Sequence, residues 1–216
     1  EHVYRRPDTY IGSDNCLSKE ELIYNFELNK IVKSEVDLPE GIKRLFLEIL
    51  SNAGDNCDVS RRAGLDPQKI EVYMDRNQIK IKNYGLHIPV KKICLEKTQG
   101  GSNVVDYTEE KGDDYYWLPE FIFGHFRTSN NYDKQKKNMG HVAGRNGYGA
   151  KLTNIFSKVY SVSVCDPDEG KIFKGTWKDN MFKDSDNKKP HIEVRDGKFK
   201  DGWVEISYIL DFKRFV

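Results

Sequence analysis

No apolar run in this sequence approaches the ~20 residues that span a bilayer, so no membrane-crossing helix is expected. An excess of either charge is missing too: 35 Lys and Arg stand against 34 Asp and Glu, a formal net charge of +1. A chain so balanced carries no general field for a polyanion or an anionic surface, and DNA binding cannot be argued from charge. Cysteine is scarce, with Cys16, Cys57, Cys94 and Cys165 far apart and no CxxC pair. That spacing speaks against a zinc site and for free thiols in a reducing compartment. The five histidines are scattered and form no HExxH, so single ones such as His125 read as surface or core residues. No signal-peptide pattern opens the chain, and it begins at Glu1 rather than Met, as expected of a piece of a longer protein. Internal repeats and low-complexity tracts are absent as well.

What is present is enough sequence, 216 residues, for one sizeable core or for one domain and part of another. Residues 22–28 alternate, with Leu22, Tyr24, Phe26 and Leu28 on one side, which predicts a half-buried strand. A second strand is expected around 31–37. Pro39 then stands at a helix start, and Ile42, Leu45, Phe46, Ile49, Leu50 and Ala53 recur at helical spacing over residues 40–56. Residues 70–74 and 79–82 read as a hairpin across "DRNQ". The polar, glycine-containing stretch 99–116 predicts a long loop or insertion, and 119–127 look helical. Lys134, Lys136 and Lys137 read as a solvated face within the polar stretch 130–147. The last third is strand-rich: "VYSVSVCD", the turn "PDEG", "KIFKGTW", then "HIEV" and "WVEISYIL". Helices dominating the first part and an antiparallel sheet the second predict an α+β sandwich, not an alternating parallel α/β fold.

Two stretches invite chemistry. At ~100° per residue, Glu48, Asn52 and Asp55 fall within one narrow arc of the 40–56 helix, with the apolar residues opposite. Such a stripe is either a solvent face or a Mg-nucleotide site. In the second case Asn52 offers an amide oxygen to a hard cation that also takes waters and phosphate oxygens, and Glu48 deprotonates the attacking water. The other stretch is "HVAGRNGYGAKLTNIF", residues 141–156. It is not a Walker A loop, because Lys151 comes one place late and Leu152 stands where Ser or Thr should bind magnesium. It is not a Rossmann loop either, because its glycines run GxxGxG and no strand precedes them. A flexible loop running into a helix N-terminus at 149–156 would present N–H groups to phosphates, with Arg145 and Lys151 adding charge. A structural glycine loop is the alternative.

Read together, an ExxxN helix, a strand ending in an NxGxxIP-like turn and a GxxGxGxK lid resemble the GHKL ATPases. "RRPDTYIGS", "EILSNAGDN", "LPEFIFGHFRTSNNYD" and "GRNGYGAKLTNIFS" narrow the resemblance to the eukaryotic and viral type IIA DNA topoisomerases. The likeness runs from residue 2 to the closing "DFKRF". It implies the Bergerat fold, a two-layer sandwich of helices on a mixed, mostly antiparallel sheet. It also implies one domain over 1–216, with a strap at about 1–18, an insertion at about 99–116 and an ATP lid at about 130–151. Transducer and DNA-cleavage domains are expected to be absent.

The resemblance assigns roles residue by residue. Glu48 matches the general base and Asn52 the Mg²⁺-binding asparagine, while Asp55 and Asn56 complete that motif. Asn83 matches the position facing the adenine or its waters. Ser129, Asn130 and Asn131 match a segment on ribose and phosphate. Gly144, Arg145, Asn146, Gly147, Tyr148, Gly149, Ala150 and Lys151 match the lid, and Thr176 a threonine on the sheet floor near the base. Some positions depart from the pattern: Tyr84 and His87 replace a small polar residue and a glycine, Ala143 a glycine and Asn130 a serine. The implied cofactors are ATP and Mg²⁺. The implied partners are duplex DNA and a second copy in the full-length enzyme, located in the nucleus if cellular, or in the host cell or virion if viral. Rival readings are another GHKL enzyme such as a histidine kinase, a nucleotide switch without turnover, and a plain α+β interaction domain.

Overall fold

In the computed structural model, which describes residues 2–67, 69–98, 101–112, 115–125, 149–181 and 189–215, two single-turn helices open the chain. These are α1 (His2–Arg5) and α2 (Pro7–Tyr10). A hairpin of β1 (Ser18–Asn25) and β2 (Lys30–Asp37) leads to the long α3 (Glu40–Arg62). Then come β3 (Ile70–Met74), β4 (Ile79–Tyr84), β5 (Lys92–Thr98), β6 (Gly101–Asp106) and β7 (Tyr115–Trp117). Two short helices follow, α4 (Leu118–Gly124) and α5 (Gly149–Ile155). The last strands are β8 (Ser157–Asp166), β9 (Lys171–Lys178), β10 (His191–Asp196) and β11 (Trp203–Leu210).

The main sheet has six strands in the order β10-β9-β8-β11-β4-β3, and every pairing is antiparallel. Strict alternation explains its two faces. In β11, Val204, Ile206, Tyr208 and Leu210 point inward, and Val162, Val164, Phe173 and Trp177 share that face. Helices α3, α4 and α5 cover it, giving the expected α+β sandwich. Helix α3 presents Leu45, Ile49, Ala53 and Cys57 to the core and continues six residues past the predicted end. Glu40 in its first turn and Arg61 and Arg62 in its last complement the helix dipole. Among the described residues no helix is long and apolar enough to cross a membrane. All four cysteines are free, three of them buried.

Three sequence expectations need correction. The β1–β2 hairpin forms, but its alternating side is not half-buried: Leu22 is 70% exposed, Ile31 66% and Phe26, already in the turn, 88%. Periodicity predicts a strand with two unlike faces and cannot say that a partner covers one of them. Residues 99–116 are not simply a loop, since β6 and β7 flank β5 in a second, three-stranded sheet. Its apolar residues, Ile93, Leu95, Val104, Tyr116 and Trp117, lie in or against the core, but polar residues and glycines interrupt them, so no single strand-length period stands out in the sequence. The first part is therefore not dominated by helices. The strap region folds onto its own domain: Val3 and Ile11 are buried, Tyr4 stacks on Phe156 at 5.8 Å, and Arg214 pairs with Asp14. The Tyr4 hydroxyl also donates to Asp211 (3.3 Å).

Candidate functional site

Glu48 and the end of the glycine-rich stretch meet. Gly149, the first residue of α5, lies so close to Glu48 that a Cβ placed on it would come within 3.0 Å of the glutamate's own Cβ and Cδ. Thr153, one turn into α5, donates from Oγ1 to the Leu45 carbonyl (3.3 Å) and so fastens α5 along α3. The Glu48 side chain is 37% exposed, with Arg44 Nε 3.8 Å away one turn earlier. A carboxylate held at the rim with a backbone approach only glycine permits can face a small reactant such as water.

The other end of the stripe meets the sheet. Asn56 donates from Nδ2 to the Leu86 carbonyl (3.0 Å), and Asn83, 7% exposed at the end of β4, donates from Nδ2 to Asn56 Oδ1 (2.9 Å). Ser60 supports both sides: its hydroxyl donates to the Asn56 carbonyl (2.7 Å) and accepts the Leu86 N–H (2.8 Å). A buried amide, Asn83, and a half-buried one, Asn56, satisfied in this way hold fixed orientations. Gly85, at φ +121°, carries the chain round this turn, and a side chain there would lie 2.8 Å from Ser60 Cβ. Asn52 sits half-buried on α3, between Glu48 and Asn56. An amide oxygen is a hard donor of the kind Mg²⁺ accepts beside its retained waters, so the donor set fits that cation.

Lys151 is 5% exposed, and burial pushes its ammonium down to about 8. Ala150 precedes it, packed against the core. His125 lies against the Tyr116 ring at 4.4 Å, and burial, then the Lys151 charge, lower its pKa.

Not every expected residue joins the site. Thr176 bonds Ser161 (3.0 Å) and pairs with it in register. Asn83, Val204 and Val164 align across the sheet on the helix-covered face, and Ser161 is three residues from Val164, so Thr176 is on the opposite face. It is not on the floor near Asn83. Asp55 is exposed and lines a separate cleft of about 490 Å³ between α3 and the segment Pro67–Ile70. Its wall carries Asp55 and Asp58 together with Arg61 and Lys69, and it includes neither Glu48, Asn52 nor Asn83. Ser129, Asn130, Asn131, Ala143, Gly144, Arg145, Asn146, Gly147 and Tyr148 lie outside the described residues. The sequence alone missed Ser60 and Val204. Ser60 falls four residues after Asn56, a helical spacing that could have found it.

No protein-family model matches the chain. Curated relatives do. DNA topoisomerase 2 of Candida glabrata is 36% identical over 181 residues, 84% of this chain and 11% of that protein. Those of Drosophila melanogaster (34%) and Plasmodium falciparum (35%) match 100% of this chain and 13% and 14% of their own length. The chain thus spans only a small part of these proteins. Among solved structures it resembles the ATPase region of Saccharomyces cerevisiae topoisomerase II, with a TM-score of 0.74 and 30% identity over 99% of this chain and 50% of that one. The ATPase and transducer domains of Balamuthia mandrillaris DNA topoisomerase II give 0.71 and 33% over 100% and 49%. Likeness in sequence and fold over essentially its whole length shows that the chain belongs to the type IIA DNA topoisomerase family and corresponds to its GHKL-type ATPase region.

Proposed function

We propose that this chain binds Mg·ATP and hydrolyses it, and that in the full-length enzyme this drives ATP-gated closure of a homodimer for the passage of one DNA duplex through another. The observation that supports it most is Gly149 seated against Glu48, which joins the carboxylate helix to the last turn of the proposed lid. Glu48 accepts a proton from the water that attacks the γ-phosphorus; the new P–O bond forms as the bond to the β-phosphate oxygen breaks. Asn52 holds Mg²⁺, which when bound neutralises charge on the phosphate oxygens. Asn83 faces the adenine or its waters, and Asn56 supports it from α3. Ser129, Asn130 and Asn131 take ribose and phosphate, and residues 144–151 take the triphosphate, with Lys151 countering the charge that spreads in the transition state. In a cellular eukaryote the enzyme would act in the nucleus, and for a virus in the host cell or virion. Full turnover of a bound triphosphate, rather than mere binding, is favoured over a nucleotide switch by the retention of Glu48.

Two measurements test this site. Asn52→Ala should weaken Mg·ATP binding by roughly 10–100-fold in calorimetry while leaving metal-free ATP binding unchanged. Equal affinity for Mg·ATP in variant and wild type would remove the metal role. Lys151 supplies a pH test. Its protonated form attracts the triphosphate, and the free protein loses that proton as pH rises through about 8. ATP affinity should therefore fall between pH 7 and pH 9, and Lys151→Met should flatten the profile; an unchanged slope in the variant would exclude Lys151 as the titrating group.

A further inference from the structure

His87 stands where the resembling family carries glycine, and the structure gives it a specific seat. Its Nε2 lies 3.0 Å from Oδ1 of Asp166, which is 1% exposed, and 3.4 Å from Oδ2 of Asp168. Both neighbours are carboxylate oxygens, so Nε2 carries the proton and donates. Gly202 makes the room, because a Cβ there would stand 2.6 Å from His87 Nδ1. Asp166 is itself fixed by three N–H groups, Val90 to Oδ2 (2.7 Å) and Asp168 and Glu169 to Oδ1 (3.0 Å each). These three side chains bring metal-type donors within 4.8 Å of one another. Oδ1 of Asp166 is already filled by two N–H groups and the imidazole, which makes the group a hydrogen-bonded clasp rather than a cation seat.

The clasp acts at one remove on the amides of the site. His87 follows Leu86, whose carbonyl receives Asn56 Nδ2 and whose N–H reaches Ser60. Asn56 Oδ1 in turn fixes Asn83. One side of the turn is thus tied to α3 and the other to the β8–β9 turn, with Gly85 N–H to the Gly202 carbonyl (3.1 Å) as a further tie. We propose that His87 is a positioning residue which, through the Leu86 carbonyl, sets the orientation of the Asn56–Asn83 amide pair and hence the affinity for the nucleotide base. This rests on the nucleotide-site reading above.

The test compares the wild-type chain with His87→Ala and His87→Gln, whose amide nitrogen can replace Nε2 as donor to Asp166. Calorimetry with Mg·ATP, phosphate release at saturating Mg·ATP and melting temperature are measured for each. His87→Ala should bind Mg·ATP about tenfold more weakly, as for the loss of one oriented hydrogen bond, with kcat within about twofold. His87→Gln should recover most of the affinity. Unchanged affinity in His87→Ala, a kcat that falls in step with affinity, or a Gln variant as weak as the Ala variant would each overturn the proposal. A wild-type chain that bound no ATP would instead overturn the nucleotide reading on which it rests.

Discussion

Glu48→Ala should leave Mg·ATP bound and lower hydrolysis by about 10²–10⁴-fold, the usual contribution of a single general base. The loss is confined to chemistry because of where the side chain sits. Glu48 is at the rim, 37% exposed, and its ion pair with Arg44 at 3.8 Å is itself solvated, so breaking that pair costs little. Stability should change by only ~0.5 kcal/mol. Glu48→Gln, which keeps the shape but accepts no proton, should be as inactive as Glu48→Ala. Phosphate release at saturating Mg·ATP, with calorimetry on the same samples, measures both halves. Turnover near the wild-type rate in either variant would remove Glu48 from the mechanism.

Gly149→Ala should cost about 10²-fold in hydrolysis while the melting temperature stays almost where it was. The added methyl would press on the Glu48 carboxyl, the mobile end of a flexible side chain, and come within 3.0 Å of its Cβ. The easiest relief is for the carboxylate to swing aside. That relief is mild in structural terms, and at the first position of a helix, unlike its interior, alanine gains little over glycine. The chemistry is less tolerant, since a displacement of roughly 1 Å in a reacting group can cost 10²-fold. The diagnostic pattern is thus low kcat with normal melting. Wild-type kcat would show that the carboxylate need not lie where the structure places it, and a large fall in melting temperature would mean that α5, not Glu48, had moved.

What could be read from the sequence was the part written in periodicity and in short motifs. Helix α3 was visible in its apolar spacing, and the paired strands around "DRNQ" and "PDEG" in their turns. The association of Glu48 with Gly149 was implied only by a resemblance, because 100 residues of chain separate them and no local pattern reports so distant a contact. The surroundings of each face were hidden. Leu22 and Tyr24 alternate as an inward face would, yet point to solvent. Thr176 shows the opposite error, since its motif was noticed and its parity was not. Phe173, Gly175 and Trp177 are the inward set of β9, and the intervening Lys174, Thr176 and Lys178 mark the outer one. His87 was visible only as a misfit to a pattern, because its partners lie about 80 residues away on another turn.

The strand order has a consequence for how this chain comes together on the ribosome. β11 is the last strand, yet it lies in the interior of the sheet, where it alone bridges β8 and β4. Until residues 203–210 have emerged, the nascent polypeptide holds two ribbons that no strand joins, β3–β4 and β8–β9–β10, each with an unpaired inner edge. Closure of the sheet must await the segment that carries β11, a topology that delays folding of this region and prolongs exposure to misassociation.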